Sequence, residues 1–187
     1  NALVVCPLSL VGNWKKEFEK WSPEIAVIKV RGTPEERKQI WRSPFNVYIT
    51  TYENIRDDIE DGIFSATKFD LVVLDEIQRI KNPDAKVSKA LKSLKPDFRW
   101  GLSGTPLENR IEDVVSIFGF INPWLFFDPT NYPNSVKAKI APYFLRRRIC
   151  DVEMELPDKK VEEYWIDLNP FQQEAYNSAY DEARRDI

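Results

Sequence analysis

Asp75 and Glu76 are adjacent carboxylates placed directly after an apolar run, Leu71-Val-Val-Leu74. In phosphate-hydrolysing sites an Asp at a strand end holds magnesium, directly or through water, and a neighbouring Glu orients or deprotonates the attacking water. The same pair also suits an acid-rich helix start or a surface turn. Ser103-Gly104-Thr105-Pro106 closes a second apolar run. Small hydroxyl residues and a glycine let backbone approach a neighbour closely, and Pro106 can open a helix. An ordinary capped turn is the other reading of that tetrapeptide. The chain contains no His. Metal ligation would therefore fall to carboxylates, hydroxyls and water, a donor set that suits magnesium and argues against zinc.

The elements that must position these residues alternate in a βα rhythm. A short continuous apolar run reads as a strand buried on both faces, as in a parallel sheet covered by helices. Strands are expected over 2–6, 25–30, 46–51, 70–74 and 99–102. Helices are expected over 14–21, from Pro34 to Trp41 with Thr33 as cap, and over 83–94, with a helix or turn over 52–61. A further helix over 111–121 should turn Val114, Val115, Phe118 and Ile121 inward. Residues 7–13 read as a loop. Trp14, Phe18 and Trp21 share one helical face and read as core rather than a base-stacking platform. Strands separated by helices make a mostly parallel sheet with right-handed crossovers. In such a sheet, ligands bind beyond the carboxyl ends of the strands, where both motifs fall.

Beyond Ile121 the pattern changes. Residues 122–134 hold Pro123, Pro129 and Pro133 and read as a loop or shortened insertion. Residues 161–168 alternate in strand fashion, and a helix follows from Pro170. The opening inside a strand and the closing inside a helix read as an excerpt of a longer protein.

With 187 residues, 43% hydrophobic, the chain can bury one domain core plus an extension. The net charge of −3 does not announce nucleic acid, although a local basic face is compatible with it. Cys6 and Cys150 are too few and too distant for a disulfide scaffold or a zinc site, which fits a reducing compartment. No apolar run approaches the roughly 20 residues that span a bilayer.

The long runs together resemble superfamily II helicases, and more narrowly the Swi/Snf family of DNA-translocating ATPases. Leu3 to Trp14, followed by Lys16-Glu17-Phe18, is similar to that family's motif Ia, and Tyr48 to Glu53 to motif Ib. Leu74 to Pro83 is similar to motif II with its tail, and Leu102 to Arg110 to motif III. Phe144 to Arg148 and the stretch from Asp151 to Pro157 resemble the block leading to the second motor domain. The runs at 80–83 and 102–109 separate this family from RNA helicases.

The resemblance implies a RecA-like three-layer α/β/α domain with a mostly parallel sheet over residues 1–141. Residues 142–187 would form a connector toward a second domain. It implies ATP and Mg2+ as cofactors, with Asp75 holding magnesium and Glu76 activating water. Gln78 stands where most members carry His, a departure also met within the family, and would link the nucleotide site to Ser103, Gly104 and Thr105. Pro7, Leu8, Ser9, Thr50 and Thr51 would hold the DNA backbone, through contacts that position DNA without reading its sequence. Lys81 and Arg110 are assigned to the same path, with solvated surface charge as the alternative. Arg146, Arg147 and Arg148 suit DNA or ion pairs within the connector.

The implied partners are double-stranded DNA and protein–DNA complexes, with no membrane. The location would be cytoplasm or nucleoid in a prokaryote and the nucleus in a eukaryote. None of the six Gly begins a Gly-x-x-x-x-Gly-Lys-Ser/Thr loop. The resemblance implies that the intact protein is a DNA-dependent ATPase; without that loop, these residues alone are expected to be inert. A non-catalytic DNA- or protein-binding module on the same fold is the alternative from another class. A strand-separating helicase or restriction motor is the alternative within enzymes.

Overall fold

The computed structural model describes residues 1–64, 68–104, 110–126, 136–147 and 160–185. The chain divides into two compact units, Asn1–Phe144 and Leu145–Ile187. The first unit holds five strands, β1 (Ala2–Cys6), β2 (Val27–Lys29), β3 (Val47–Thr51), β4 (Leu71–Asp75) and β5 (Phe98–Leu102). They form one sheet in the order β2-β3-β1-β4-β5, and every pairing is parallel. Its helices are α1 (Val11–Trp21), α2 (Pro34–Arg42), α3 (Tyr52–Glu60), α4 (Lys86–Ser93), α5 (Ile111–Ile121) and α6 (Val136–Ile140).

Alternation along the strands builds two apolar layers. Val4, Cys6, Val47, Ile49 and Val73 face one side, where Leu10, Val11, Trp14 and Phe18 cover them. Leu3, Val5, Tyr48, Val72 and Leu74 face the other, against Trp41, Tyr52, Ile55, Leu91 and Ile117. Burial on both faces explains why these strands read as unbroken apolar runs. The result is the expected three-layer α/β/α architecture with a parallel sheet. At the sheet's end, β5 leaves Phe98, Trp100 and Leu102 exposed by 66%, 61% and 43%.

The helix starts carry their own signals. Thr33 caps α2 in a reciprocal box with Glu36, and Pro34 fills the first turn. Thr51 caps α3 through its hydroxyl on the Asn54 N–H. A buried ion pair joins these two helices. Asp58 accepts from Arg37 Nε at 2.8 Å and from Trp41 Nε1 at 2.8 Å. Asp58 holds the Arg37 guanidinium above its usual pKa.

Several expectations are corrected. Residues 7–13 are not a loop throughout: Leu8–Leu10 is a 3-10 turn and α1 starts at Val11, three residues early. Helix α4 starts at Lys86 rather than Pro83, because residues 82–85 form a turn in which Asn82 Oδ1 accepts the Asp84 N–H at 2.9 Å and the Asn82 carbonyl accepts the Ala85 N–H. Trp14 and Phe18 do pack against the sheet, but Trp21 is 70% exposed, with its N–H on Glu17 and Lys20 over its ring. It sits at the last position of α1, beyond the strands that would cover it. In α5, Phe118 is buried as expected, but so are Ser116, Ile117 and Phe120, since this helix is apolar nearly all round. Residues 136–140 form α6, which the proline-rich surroundings concealed.

In the second unit, residues 160–169 are exposed and form no strand. Alternation alone does not make a strand; backbone donors and acceptors need a neighbouring ladder. The expected terminal helix is present as α7 (Pro170–Arg185). Thr105, Arg148 and the stretches 127–135 and 151–159 lie outside the described residues.

Candidate nucleotide site

Parallel register aligns the carboxyl ends of four strands. Cys6 pairs with Thr51, Val5 with Leu74, and Asp75 with Leu102. The segments leaving these ends are therefore neighbours along one rim: Pro7–Ser9, Thr51–Tyr52, Asp75–Gln78 and Ser103–Gly104. Motifs far apart in sequence meet there because the strand order brings β1 between β3 and β4.

Asp75 ends β4 and is half-buried. Its Oδ2 accepts the indole N–H of Trp14 at 2.8 Å, and its Oδ1 accepts the Glu76 backbone N–H at 3.0 Å. The Tyr52 hydroxyl donates to its carbonyl at 2.7 Å. Burial, with the Asp75 charge nearby, pushes the Tyr52 hydroxyl up, and the same two causes push the Cys6 thiol up to about 12. Cys6 is thus a buried neutral wall of the site.

Glu76 has φ 55° and ψ 52°, the one non-glycine residue at positive φ among those described. A left-handed backbone costs a non-glycine residue roughly 1–3 kcal/mol and is concentrated at functional sites. Here it turns the chain from β4 straight into the Ile77–Ile80 turn. That turn brings Gln78 back onto Glu76: Gln78 Nε2 donates to Glu76 Oε2 at 2.6 Å. Ser103 Oγ in turn donates to Gln78 Oε1 at 2.9 Å. The chain Glu76–Gln78–Ser103 thus connects the ends of β4 and β5.

The turn itself is held from below. The Ile80 carbonyl accepts from Ser116 Oγ at 2.9 Å and Ser88 Oγ at 3.2 Å, and Ser88 also donates to the Asn82 carbonyl at 2.5 Å. Lys92 Nζ donates to Ser116 at 2.8 Å, and burial lowers the pKa of its ammonium. Gly101 makes room for the turn: a Cβ there would overlap Ile77 Cδ1 and come within 3.2 Å of Ile121. Gly101→Val is expected to cost about 1–3 kcal/mol, as overpacking does, read by denaturant unfolding. An unchanged midpoint would mean that Ile77 has room to move.

The other expected positions fall as follows. Pro7 is half-buried, while Leu8, Ser9, Lys81, Gly104 and Arg110 are exposed. Thr50 is fully buried, and its hydroxyl has no hydrogen-bond partner. Thr51 is buried too, its hydroxyl spent on the α3 cap. Neither hydroxyl is therefore on the surface that a ligand would meet. Sequence reasoning missed Trp14 and Tyr52 as partners of Asp75. The spacing of Trp14 showed that the ring is packed, but only the adjacency of β1 and β4 shows where its N–H points.

A lone carboxylate with free lone pairs fits magnesium, which keeps several waters and is bound through one or two carboxylates plus substrate phosphates. Among the described residues no cluster of three or more acidic, Cys or His side chains offers an all-protein metal cage. No helix among them is long and apolar enough to cross a membrane.

Comparison with known proteins identifies the family and the fold. The model of the SNF2-related domain matches residues 1–187. An uncharacterized ATP-dependent helicase of Mycoplasma pneumoniae is 32% identical over 100% of this chain and 19% of its own length. The transcription regulatory protein SNF2 of Saccharomyces cerevisiae is 33% identical over 84% of this chain and 11% of its own. This chain thus spans about a fifth or less of the length of these relatives. A solved structure, the Sulfolobus solfataricus SWI2/SNF2 ATPase core in complex with double-stranded DNA, superposes with a TM-score of 0.70 at 31% identity. It covers 95% of this chain and 40% of that one. The chain belongs to the SNF2-related domain family and carries the RecA-like α/β fold of a SWI2/SNF2 ATPase core.

Proposed function

We propose that this chain is part of an ATP-dependent motor that translocates on double-stranded DNA and remodels protein–DNA complexes. The observation that carries the reading is the rim, where Glu76, Gln78 and Ser103 form one hydrogen-bonded chain beside Asp75. When bound, Mg2+ would neutralise developing charge on the phosphates of ATP. Asp75 is the residue that would hold it. Glu76, placed at the strand end by its left-handed backbone, orients the attacking water and takes its proton. Gln78 fixes the Glu76 carboxylate from one side while gripping Ser103 from the other. A change in the position of Glu76 is therefore felt at Ser103, at the start of motif III.

On the same rim, exposed Leu8 and Ser9 beside half-buried Pro7 offer backbone and a hydroxyl to a phosphate strand; Lys81 and Arg110 are exposed cations assigned to the same path. Thr50 and Thr51 lie at the neighbouring strand end. With their hydroxyls buried or occupied, contact from that segment falls to backbone. Such contacts track a duplex without reading bases. Residues 1–141 act as the first motor domain and 142–187 as the connector toward a second.

The test is ATP turnover by the intact protein with and without duplex DNA, beside triplex-displacement and strand-displacement assays. Duplex-stimulated turnover with triplex displacement and no strand separation is expected. DNA-independent turnover, or none, would overturn the motor reading in favour of a binding module. Strand separation would favour a helicase. The 187-residue chain alone is expected to show no turnover.

A further inference from the structure

Trp14 is an unexpected partner for Asp75. It lies in the first turn of α1, immediately after the Leu8–Leu10 turn, whose Leu8 is 77% exposed. Its ring packs against the Val4–Cys6–Val73 layer and lies 6.1 Å from Phe18. Packing alone would satisfy the ring. The indole N–H, however, reaches Asp75 Oδ2 at 2.8 Å. An indole N–H only donates, so it fixes which face of the carboxylate is turned toward α1. The other oxygen is fixed by the Glu76 N–H at 3.0 Å. Both carboxylate oxygens are thus oriented, and each keeps a lone pair. A carboxylate held in this way needs no rearrangement to receive a cation.

We propose that Trp14 is a positioning residue for Asp75 and ties the Pro7–Ser9 segment, exposed at Leu8 and Ser9, to the magnesium–nucleotide site. The inference rests on the motor reading above. The Leu8–Leu10 turn and α1 are continuous, so pressure from a bound duplex on Leu8 or Ser9 is transmitted to the Trp14 ring. From there it reaches the carboxylate through one hydrogen bond. Groups that orient metal ligands in this way typically change metal affinity by about 10–100-fold when removed. Trp21 provides an internal control. It lies on the same helix, exposed, with its own N–H on Glu17.

The experiment uses the intact protein and a fluorescent ATP analogue, titrated with magnesium in the absence and presence of duplex DNA. Binding is read, so turnover does not enter. Trp14→Phe keeps a packed ring and removes the donor. It is expected to raise the magnesium concentration for half-maximal binding by about 10-fold or more. It should also abolish the shift in that midpoint caused by DNA, while Trp21→Phe changes neither. A wild-type midpoint in Trp14→Phe would overturn the positioning role and leave Trp14 as packing. A raised midpoint with the full DNA shift would overturn the tie to the Pro7–Ser9 segment. Wild-type protein that binds no nucleotide at any magnesium concentration would instead overturn the motor reading itself, and this inference with it. If Trp14→Phe does not fold, benzothienylalanine at position 14 replaces N–H with sulfur in a ring of the same shape, and the same outcomes apply.

Discussion

Glu76→Gln in the intact protein is expected to lower ATP turnover by roughly 10²–10⁴-fold, the range that a positioned acid–base group supplies, while nucleotide binding is retained. The amide preserves the size of the side chain, and its oxygen can still accept the Gln78 amide that now sits at 2.6 Å. The turn at Ile77–Ile80 and the contact with Ser103 therefore have no reason to move. What disappears is the basic carboxylate. Single-turnover hydrolysis measured beside equilibrium binding separates the two effects. Loss of binding would give Glu76 a structural role instead. Turnover that stays near wild type would remove it from the chemistry.

The second large effect is on stability. Asp58→Ala is expected to cost about 3–5 kcal/mol, because it strands a buried guanidinium and a buried indole N–H. Asp58 is fully buried and accepts from Arg37 Nε and Nη2 at 2.8 and 2.7 Å and from Trp41 at 2.8 Å. That loss is a large share of the roughly 5–15 kcal/mol that holds a typical domain folded. At about 2–4 °C per kcal/mol for a chain of this size, the melting temperature should fall by roughly 6–20 °C. The paired change Arg37→Met with Asp58→Leu should recover part of the loss, since it removes both charges together. A cost below about 1 kcal/mol for Asp58→Ala would place this pair with exposed ion pairs.

These two residues were not equally legible in the sequence. Glu76 was readable because a buried parallel strand announces itself as a short apolar run and its end is where ligands bind. β1, β3 and β4 were readable for the same reason, and all five strands were found with boundaries differing by a residue or two. Asp58 gave no signal. It is one of several acids on α3, and only the packing of α2 on α3 selects it for Arg37. Trp14 was half legible: its spacing indicated burial, but its bond to Asp75 depends on which strands lie side by side. Residues 161–168 misled because alternation describes a strand's two faces and says nothing about a partner. Trp21 misled for a related reason, since helical spacing continues past the end of the surface that can cover it.

The bare face of β5 has a consequence for how the chain behaves in solution. Among the described residues, Phe98, Trp100 and Leu102 stand exposed on a strand that closes one side of the sheet. An open strand with bulky apolar side chains is a template for pairing with another chain. For the 187-residue polypeptide handled by itself, concentration rather than heat should set the limit of solubility. A charged replacement at Trp100 would relieve that limit without touching the rim, because Trp100 pairs in register with Val73, two positions before Asp75.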